Sequence, residues 1–138
     1  MPKITRKTIL DHFSLLYSEK LKAEHPLLSW GATNSQITVL FAFTKDVHPH
    51  DPELVTVLDV DPCAVLEFSE AERETQLNEI MKGEKLGIVV MVEALDPEEY
   101  PVCVKRFTDF FEIRRVELAH GRVYAAGKRR PLPQHLTL

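Results

Sequence analysis

Two histidines and three carboxylates fall within the eight residues 46–53. His48 and His50 are two residues apart, and in an extended chain such side chains point to the same side. Imidazole and carboxylate groups suit Zn²⁺, Mn²⁺ or Fe²⁺, so His48, His50 and Asp51 are candidate ligands of a divalent metal. The spacing of these residues does not by itself identify a third ligand. The sequence favours the alternative of a solvated polar loop stiffened by prolines.

A second pair of carboxylates, Asp59 and Asp61, lies at the end of a predicted strand. Acidic side chains at the carboxyl ends of strands often serve α/β active sites, and paired carboxylates bind Mg²⁺ or act as acid and base. Together with His48 and His50 they would form the site of a metal-dependent hydrolase or nuclease. A nuclease-like site also needs a lysine on the next strand, and the nearest lysines belong in or just after a helix. The sequence therefore favours an ordinary turn at Asp61 and predicts no cofactor.

The sequence contains neither a nucleophile motif nor a glycine-rich phosphate loop, so we expect a protein that is not an enzyme. The two cysteines, Cys63 and Cys103, are too few for a disulfide framework, which favours reduced thiols in a cytoplasmic protein. There is no run of 18 apolar residues, and no apolar segment follows the basic N-terminus. Neither a membrane span nor a secretory signal is predicted.

Charge is distributed unevenly along the 138 residues. The chain holds 17 Lys+Arg and 21 Asp+Glu, for a formal net charge of −4. Residues 44–99 carry four basic and fifteen acidic side chains, whereas residues 100–138 carry eight basic and three acidic ones. The overall pI of about 5.9 is well below the basic value expected of a dedicated nucleic-acid-binding domain.

The cations of the last third gather around a predicted hairpin and the segment after it. They are Arg114, Arg115, Arg122, Lys128, Arg129 and Arg130. Tyr124 shares the expected exposed face with Arg115 and Arg122, and cations with an interleaved aromatic ring bind a nucleic-acid backbone and stack a base. One alternative is a solvated face on which Arg115 or Arg122 pairs with Glu117. Another is that this basic end binds an acidic region of a partner protein, or of a second copy of the chain, by electrostatic steering.

The hydrophobic pattern predicts one α/β or α+β domain over residues 1–127 and a basic, proline-containing tail over 128–138. Apolar residues at spacings of three and four, a capping-box pattern and a proline suited to a first helical turn place the helices. Predicted helices cover about 6–24, 70–82 and 101–112, and predicted strands cover 36–43, 54–60, 86–92, 112–119 and 122–126. The order α-β-β-α-β-α-β-β predicts a single mixed sheet of about five strands with helices packed on it.

The last two predicted strands are joined by His120 and Gly121, a pair typical of a type I′ turn. A two-residue turn at this point fixes the register, so Leu118 should lie opposite Val123 and Val116 opposite Ala125.

These observations lead to one functional expectation and two alternatives. We expect a small cytoplasmic binding protein, with a regulatory or adaptor role, that engages a partner protein through its segregated charge. The basic hairpin and tail would provide one contact surface and the acidic middle the other. The alternatives are the metal-dependent hydrolase or nuclease described above and a nucleic-acid-binding module on the basic hairpin face.

Overall fold

The computed structural model describes residues 4–23, 30–59, 68–96, 104–119 and 121–137. In chain order, its elements are α1 (Arg6–Leu16), β1 (Gly31–Thr33), β2 (Ile37–Phe43), β3 (Val47–His48), β4 (Asp51–Asp59), α2 (Phe68–Met81), β5 (Leu86–Ala94), β6 (Val104–Glu112), β7 (Arg115–Ala119), β8 (Arg122–Ala126) and β9 (Arg130–Pro131). Short 3₁₀ turns cover Thr44–Asp46 and Gln134–Leu136. The α+β class predicted from the sequence is confirmed.

The strands form two sheets rather than the single sheet expected from the sequence. One sheet has five strands in the order β1-β2-β5-β6-β9, and the other has four in the order β3-β4-β8-β7. The larger sheet is mixed, as predicted, because β2 and β5 run parallel whereas its other neighbouring strands are antiparallel. A sheet that is apolar on both faces needs a cover on each face, and the second sheet provides one of these covers.

Strands β2 and β5 form the centre of the molecule, and their side chains alternate between two cores. On one face, Val39 and Phe41 of β2 pack around Ile9 and Phe13 of α1. On the other face, Leu40 packs with α2 and the four-stranded sheet. This double burial explains why both strands are nearly continuous apolar runs in the sequence.

Helix α1 begins as expected but ends well before the predicted limit of 6–24. The Thr5 hydroxyl accepts the backbone N–H of Thr8 at 3.3 Å, which caps the first turn. Ser18 adopts a left-handed conformation with φ of 55°, so the helix does not continue past it. Leu21 then returns to the same core from an extended segment. The apolar spacing misled the prediction because Leu21 is buried beside α1 without belonging to it.

The helix predicted over 101–112 is wrong, because residues 104–112 form strand β6. The register of β6 against β5 shifts twice, which marks β-bulges. One shift lies between the pairs Val90–Phe110 and Val92–Phe107, where β6 has one extra residue. The extra residue brings Phe107 and Phe110, three positions apart, to the α1 side of the sheet. A bulged strand thus reproduces the spacing that otherwise indicates a helix.

The segment expected to be a tail, 128–138, packs on the domain over the residues that the structure describes. Strand β9 pairs with β6 at Asp109 and Phe110. Leu132 and Leu136 are 4% and 2% exposed and belong to the core that contains α1. Two leucines among prolines and cations have no periodicity, so the sequence pattern gave no sign of their burial.

The predicted hairpin is confirmed in its register. Val116 lies opposite Ala125 and Leu118 opposite Val123 in the β7–β8 pair. The first of these strands starts at Arg115 rather than at residue 112, because Glu112 ends β6. Within the described residues, none of the helices combines the length and apolar character needed to cross a membrane.

Candidate functional site

The histidine loop uses its side chains to hold its own backbone. Nδ1 of His48 accepts the backbone N–H of His50 at 3.1 Å, and Oδ1 of Asp51 accepts the N–H of Glu53 at 3.1 Å. The two imidazole centroids lie 5.9 Å apart. Across the ranges that the structure describes, no three His, Cys, Asp or Glu side chains are grouped to hold a metal ion. This loop therefore has the geometry of a turn in which side chains accept hydrogen bonds from the loop's own backbone.

The other candidate metal ligands are not brought to the loop by any described contact. Asp59 is the last residue of β4, and the structure describes its backbone alone. Asp61 lies outside the described residues, as do Cys63 and Cys103. The metal-dependent hydrolase or nuclease thus remains a hypothesis without a geometric site.

The structure divides the predicted basic cluster into separate places. Four of its members converge on one groove of about 300 Å³, where two glutamates join them. We call this site the basic groove and define it by Arg114, Arg115, Lys128, Arg130, Glu53 and Glu112. Its four cations come from two chain segments, one at the start of the β7–β8 hairpin and one after it. All four are exposed, so they are accessible to a partner.

The basic groove forms because the ends of three strands are tied together. The backbone N–H of Arg114 donates to the carbonyl of Ala126 at 2.8 Å, which joins the start of β7 to the end of β8. Gly127 then passes the end of β6 so closely that a Cβ there would lie 2.1 Å from the carbonyl oxygen of Glu112. A glycine at this position is therefore required for the approach. This close approach brings Lys128 beside Arg114 and Arg115 at the start of the hairpin.

One predicted ion pair is present at the edge of the basic groove. Nε of Arg115 lies 2.9 Å from Oε1 of Glu117, and both side chains are substantially exposed. The two residues belong to the same strand, so the pair runs along β7 rather than across the hairpin. An exposed pair of this kind contributes about 0–1 kcal/mol, which leaves Arg115 energetically available to an incoming carboxylate.

Arg129 makes its described contacts within the fold and does not line the basic groove. Its guanidinium lies 5.0 Å from the ring centroid of Phe111. It also donates to the carbonyl of Pro52 at 3.0 Å and approaches Asp109 to 3.7 Å. These contacts join the segment after β8 to both sheets, because Pro52 belongs to β4 whereas Asp109 and Phe111 belong to β6.

Tyr124 and Arg122 also lie away from the basic groove. The expectation of an exposed Tyr124 beside Arg115 is wrong, because Tyr124 is 8% exposed. Its ring packs edge-on against His48 with a centroid distance of 5.6 Å. Strand β3 folds back on β4 and places His48 over the tyrosine, a long-range contact with no local sequence signal. Arg122 is exposed at the rim of a second cavity.

This second cavity, of about 370 Å³, is lined by residues from both sheets and from α2. We call it the aromatic cavity. Its rings are Trp30, Phe41, Phe43, His48 and Tyr124, and its charged side chains are Lys45, Asp46, Arg73 and Arg122. Trp30 is held between two neighbours: the Arg6 guanidinium is 4.1 Å from its ring centroid, and the Phe43 ring is 5.0 Å away. Arg122, Tyr124 and His48 were candidate residues from the sequence, but their position in one cavity was not predicted.

Arg73 is the buried cation of the aromatic cavity. Its Nη1 donates to the carbonyl of Val57 at 2.8 Å, and its Nη2 donates to those of Trp30 and Phe41 at 2.6 and 2.9 Å. Burial lowers the pKa of Arg73 to about 10, against the smaller opposing effect of the Glu72 charge. Arg73 therefore remains protonated at neutral pH.

The carbonyl of Val57 is available to Arg73 because of a break in strand pairing. The register of β4 against β8 shifts between Thr56 and Leu58, and Val57 lies at that shift. The guanidinium thus connects both sheets to the segment before β1. Arg73 was not predicted as a functional residue, because an arginine within an acidic amphipathic segment has the pattern of a solvated helix face.

No known protein family, curated protein or solved structure matches the chain. The function is therefore inferred from the chemistry of the basic groove and of the aromatic cavity.

Proposed function

We propose that the protein is a non-catalytic binding protein of the cytoplasm, with a regulatory or adaptor role, which engages an acidic segment of a partner protein. The observation that supports this proposal is the convergence of Arg114, Arg115, Lys128 and Arg130 on the basic groove. Cations from two chain segments meet there although the whole chain is acidic. A local concentration of positive charge on such a chain attracts carboxylates selectively.

Several features favour an acidic protein segment over a nucleic acid. Glu53 and Glu112 line the same groove; they repel any anion, but a peptide can offer them backbone N–H donors, which a phosphate backbone lacks. The aromatic side chain expected to stack a base, Tyr124, is buried elsewhere. Arginine presents a planar set of donors that matches a carboxylate in a bidentate arrangement. The two glutamates would in turn accept backbone N–H groups or cations of the bound segment.

The exposure of the groove sets the expected strength of binding. Each exposed ion pair contributes about 0.2–1 kcal/mol, so the four cations contribute a few kcal/mol at most. The interaction is then weak and transient, and its specificity and association rate depend on charge. Because the Debye length is about 8 Å at physiological ionic strength, added salt should weaken it.

The test uses the full chain and a fluorescein-labelled polyglutamate peptide, followed by fluorescence anisotropy. The double variant Arg114→Ala, Lys128→Ala should weaken binding about tenfold, which corresponds to about 1.4 kcal/mol from two exposed contacts. The matched control is Lys20→Ala, Lys82→Ala, which removes the same charge from exposed positions outside the groove. Wild-type affinity should be retained in this control.

Three outcomes would overturn the proposal. The first is an equal loss of affinity in both double variants, because net charge rather than the groove would then govern binding. The second is that a single-stranded oligonucleotide of the same length binds more tightly than the polyglutamate peptide in the same salt, which would favour the nucleic-acid-binding alternative. Binding that is insensitive to salt would likewise contradict the electrostatic argument.

A further inference from the structure

The aromatic cavity is separate from the basic groove and has the properties of a small-molecule site. Its volume of about 370 Å³ lies within the range of about 300–1,000 Å³ typical of ligand pockets. It opens between the two sheets, and small-molecule sites commonly occur where structural layers meet. Among the described residues, Arg122 and Tyr124 reach it from β8, while Arg73 reaches it from α2.

The charge of the described wall favours an anion. Lys45, Arg73 and Arg122 line the cavity, against the single carboxylate of Asp46. The hydrogen bonds of Arg73 to three backbone carbonyls hold its guanidinium in place. Those acceptors are neutral, and the charge of Glu72 opposes the desolvation of Arg73 only in part. A buried fixed cation acts through a low dielectric and attracts an anion more strongly than an exposed one.

The rings of the wall favour a flat organic group. Trp30 and Phe43 are in contact on one part of the wall, with ring centroids 5.0 Å apart. His48 and Tyr124 form a second ring pair at 5.6 Å. The contact of Trp30 with the Arg6 guanidinium restrains the indole. Restrained rings of this kind offer stacking and edge contacts to a planar ligand.

We propose that the aromatic cavity binds a small planar organic anion of the nucleoside monophosphate class. The aromatic group of the ligand packs against the partly exposed rings of Trp30 and Phe43, and its anionic group lies near Lys45 and Arg122. The buried guanidinium of Arg73 provides a fixed positive charge that favours the anion throughout the cavity. The site is independent of the basic groove, so either proposal can fail without the other.

The chain provides its own reporter for this site, because Trp30 is the one tryptophan in the sequence. Tryptophan fluorescence of the full chain is measured while adenosine 5′-monophosphate is added, and calorimetry follows the same titration. We expect a saturable change in fluorescence with a matching heat. Adenosine alone and inorganic phosphate alone should each bind at least about tenfold more weakly, because each lacks one half of the recognised chemistry.

The variants Arg122→Gln and Lys45→Gln test the anionic half of the site. Each should weaken binding of adenosine 5′-monophosphate about tenfold, and circular dichroism should confirm that both remain folded. The matched control is Lys82→Gln, an exposed lysine that lines neither the aromatic cavity nor the basic groove, which should leave the affinity unchanged. Two variants are used so that a folding defect in one leaves the other informative.

Three results would overturn this inference. The first is the absence of saturable heat and fluorescence change up to about 5 mM ligand, which would mean that the cavity has no useful affinity for this class. The second is equal binding of adenosine and adenosine 5′-monophosphate, which would remove the role of charge. The third is equal binding of inorganic phosphate and the nucleotide, which would remove the role of the rings.

Discussion

The buried guanidinium of Arg73 allows a sharp test of how the two sheets are held together. Its hydrogen bonds reach the carbonyls of Trp30, Phe41 and Val57, which lie on three separate segments. The substitution Arg73→Met keeps much of the side-chain volume but removes every donor. We therefore expect this variant to fold less stably, with the carbonyls of Phe41 and Val57 left without this donor, whereas the carbonyl of Trp30 keeps the backbone N–H of Phe41 at 2.8 Å.

The magnitude follows from two opposing effects. A buried carbonyl that loses its partner costs about 1–3 kcal/mol, so the two carbonyls of Phe41 and Val57 cost about 4 kcal/mol. Against this, burial of the charge carries a penalty, because desolvation lowers the pKa of Arg73 to about 10, which corresponds to about 3 kcal/mol. Removing the guanidinium relieves that penalty. The net loss expected for Arg73→Met is about 1 kcal/mol.

Urea and thermal unfolding, followed by circular dichroism, measure the effect. A loss of about 1 kcal/mol should lower the Tm by about 3 °C for a chain of this length. Arg73→Lys should recover only part of the loss, because a single ammonium cannot reproduce the planar set of donors. Arg114→Met, at an exposed site, is the control. The reasoning is refuted if Arg73→Met is as stable as the wild type, or if lysine restores full stability.

Two further predictions concern the C-terminal segment and the response to acid. Leu136→Ala should destabilise the fold by about 2–5 kcal/mol in urea unfolding, because Leu136 is 2% exposed in the α1 core; an effect below about 0.5 kcal/mol would mean that the segment is a solvated tail. The hydrogen bond from Arg106, and to a smaller extent the one from Lys105, hold the pKa of Glu93 below its ordinary value of 4.5. The stabilisation is therefore present above about pH 4.5 and is lost as the pH falls through the lowered pKa. Glu93→Gln should show a smaller loss of stability on acidification than the wild type, and identical pH profiles would contradict the assignment.

The extent to which the fold was predictable varies with the range of the interactions involved. Hairpin register was predictable because a two-residue turn with glycine second fixes which residues face each other, as Val116 and Ala125 show. The predicted bounds of α2, 70–82, came within two residues of Phe68–Met81, because the helix pattern is local; the helix starts before the capping box predicted for it. Strand β6 was mistaken for a helix because bulges change the period along one face, and a bulge depends on the partner strand.

The candidate sites show the same division. The cations of the basic groove were identified from the sequence, since a charge cluster is visible in composition alone. Their separation from Arg122 and Tyr124 was not visible, because alternation along β8 indicates only which side chains share a face. Whether that face is exposed depends on what covers it, and here β3 places His48 over Tyr124. The buried position of Arg73 was not predictable, because its acceptors are backbone carbonyls that are distant in the sequence.

The sequence by itself determined the class of the fold, the apolar strands at its centre, the turn of the last hairpin and the segregation of charge. These properties depend on residues that are neighbours along the chain. Only the tertiary structure decided that the strands divide into two sheets, that Leu132 and Leu136 are buried, and that the cations divide between a groove and a cavity. Those features arise from contacts between distant segments, whose geometry no local pattern specifies.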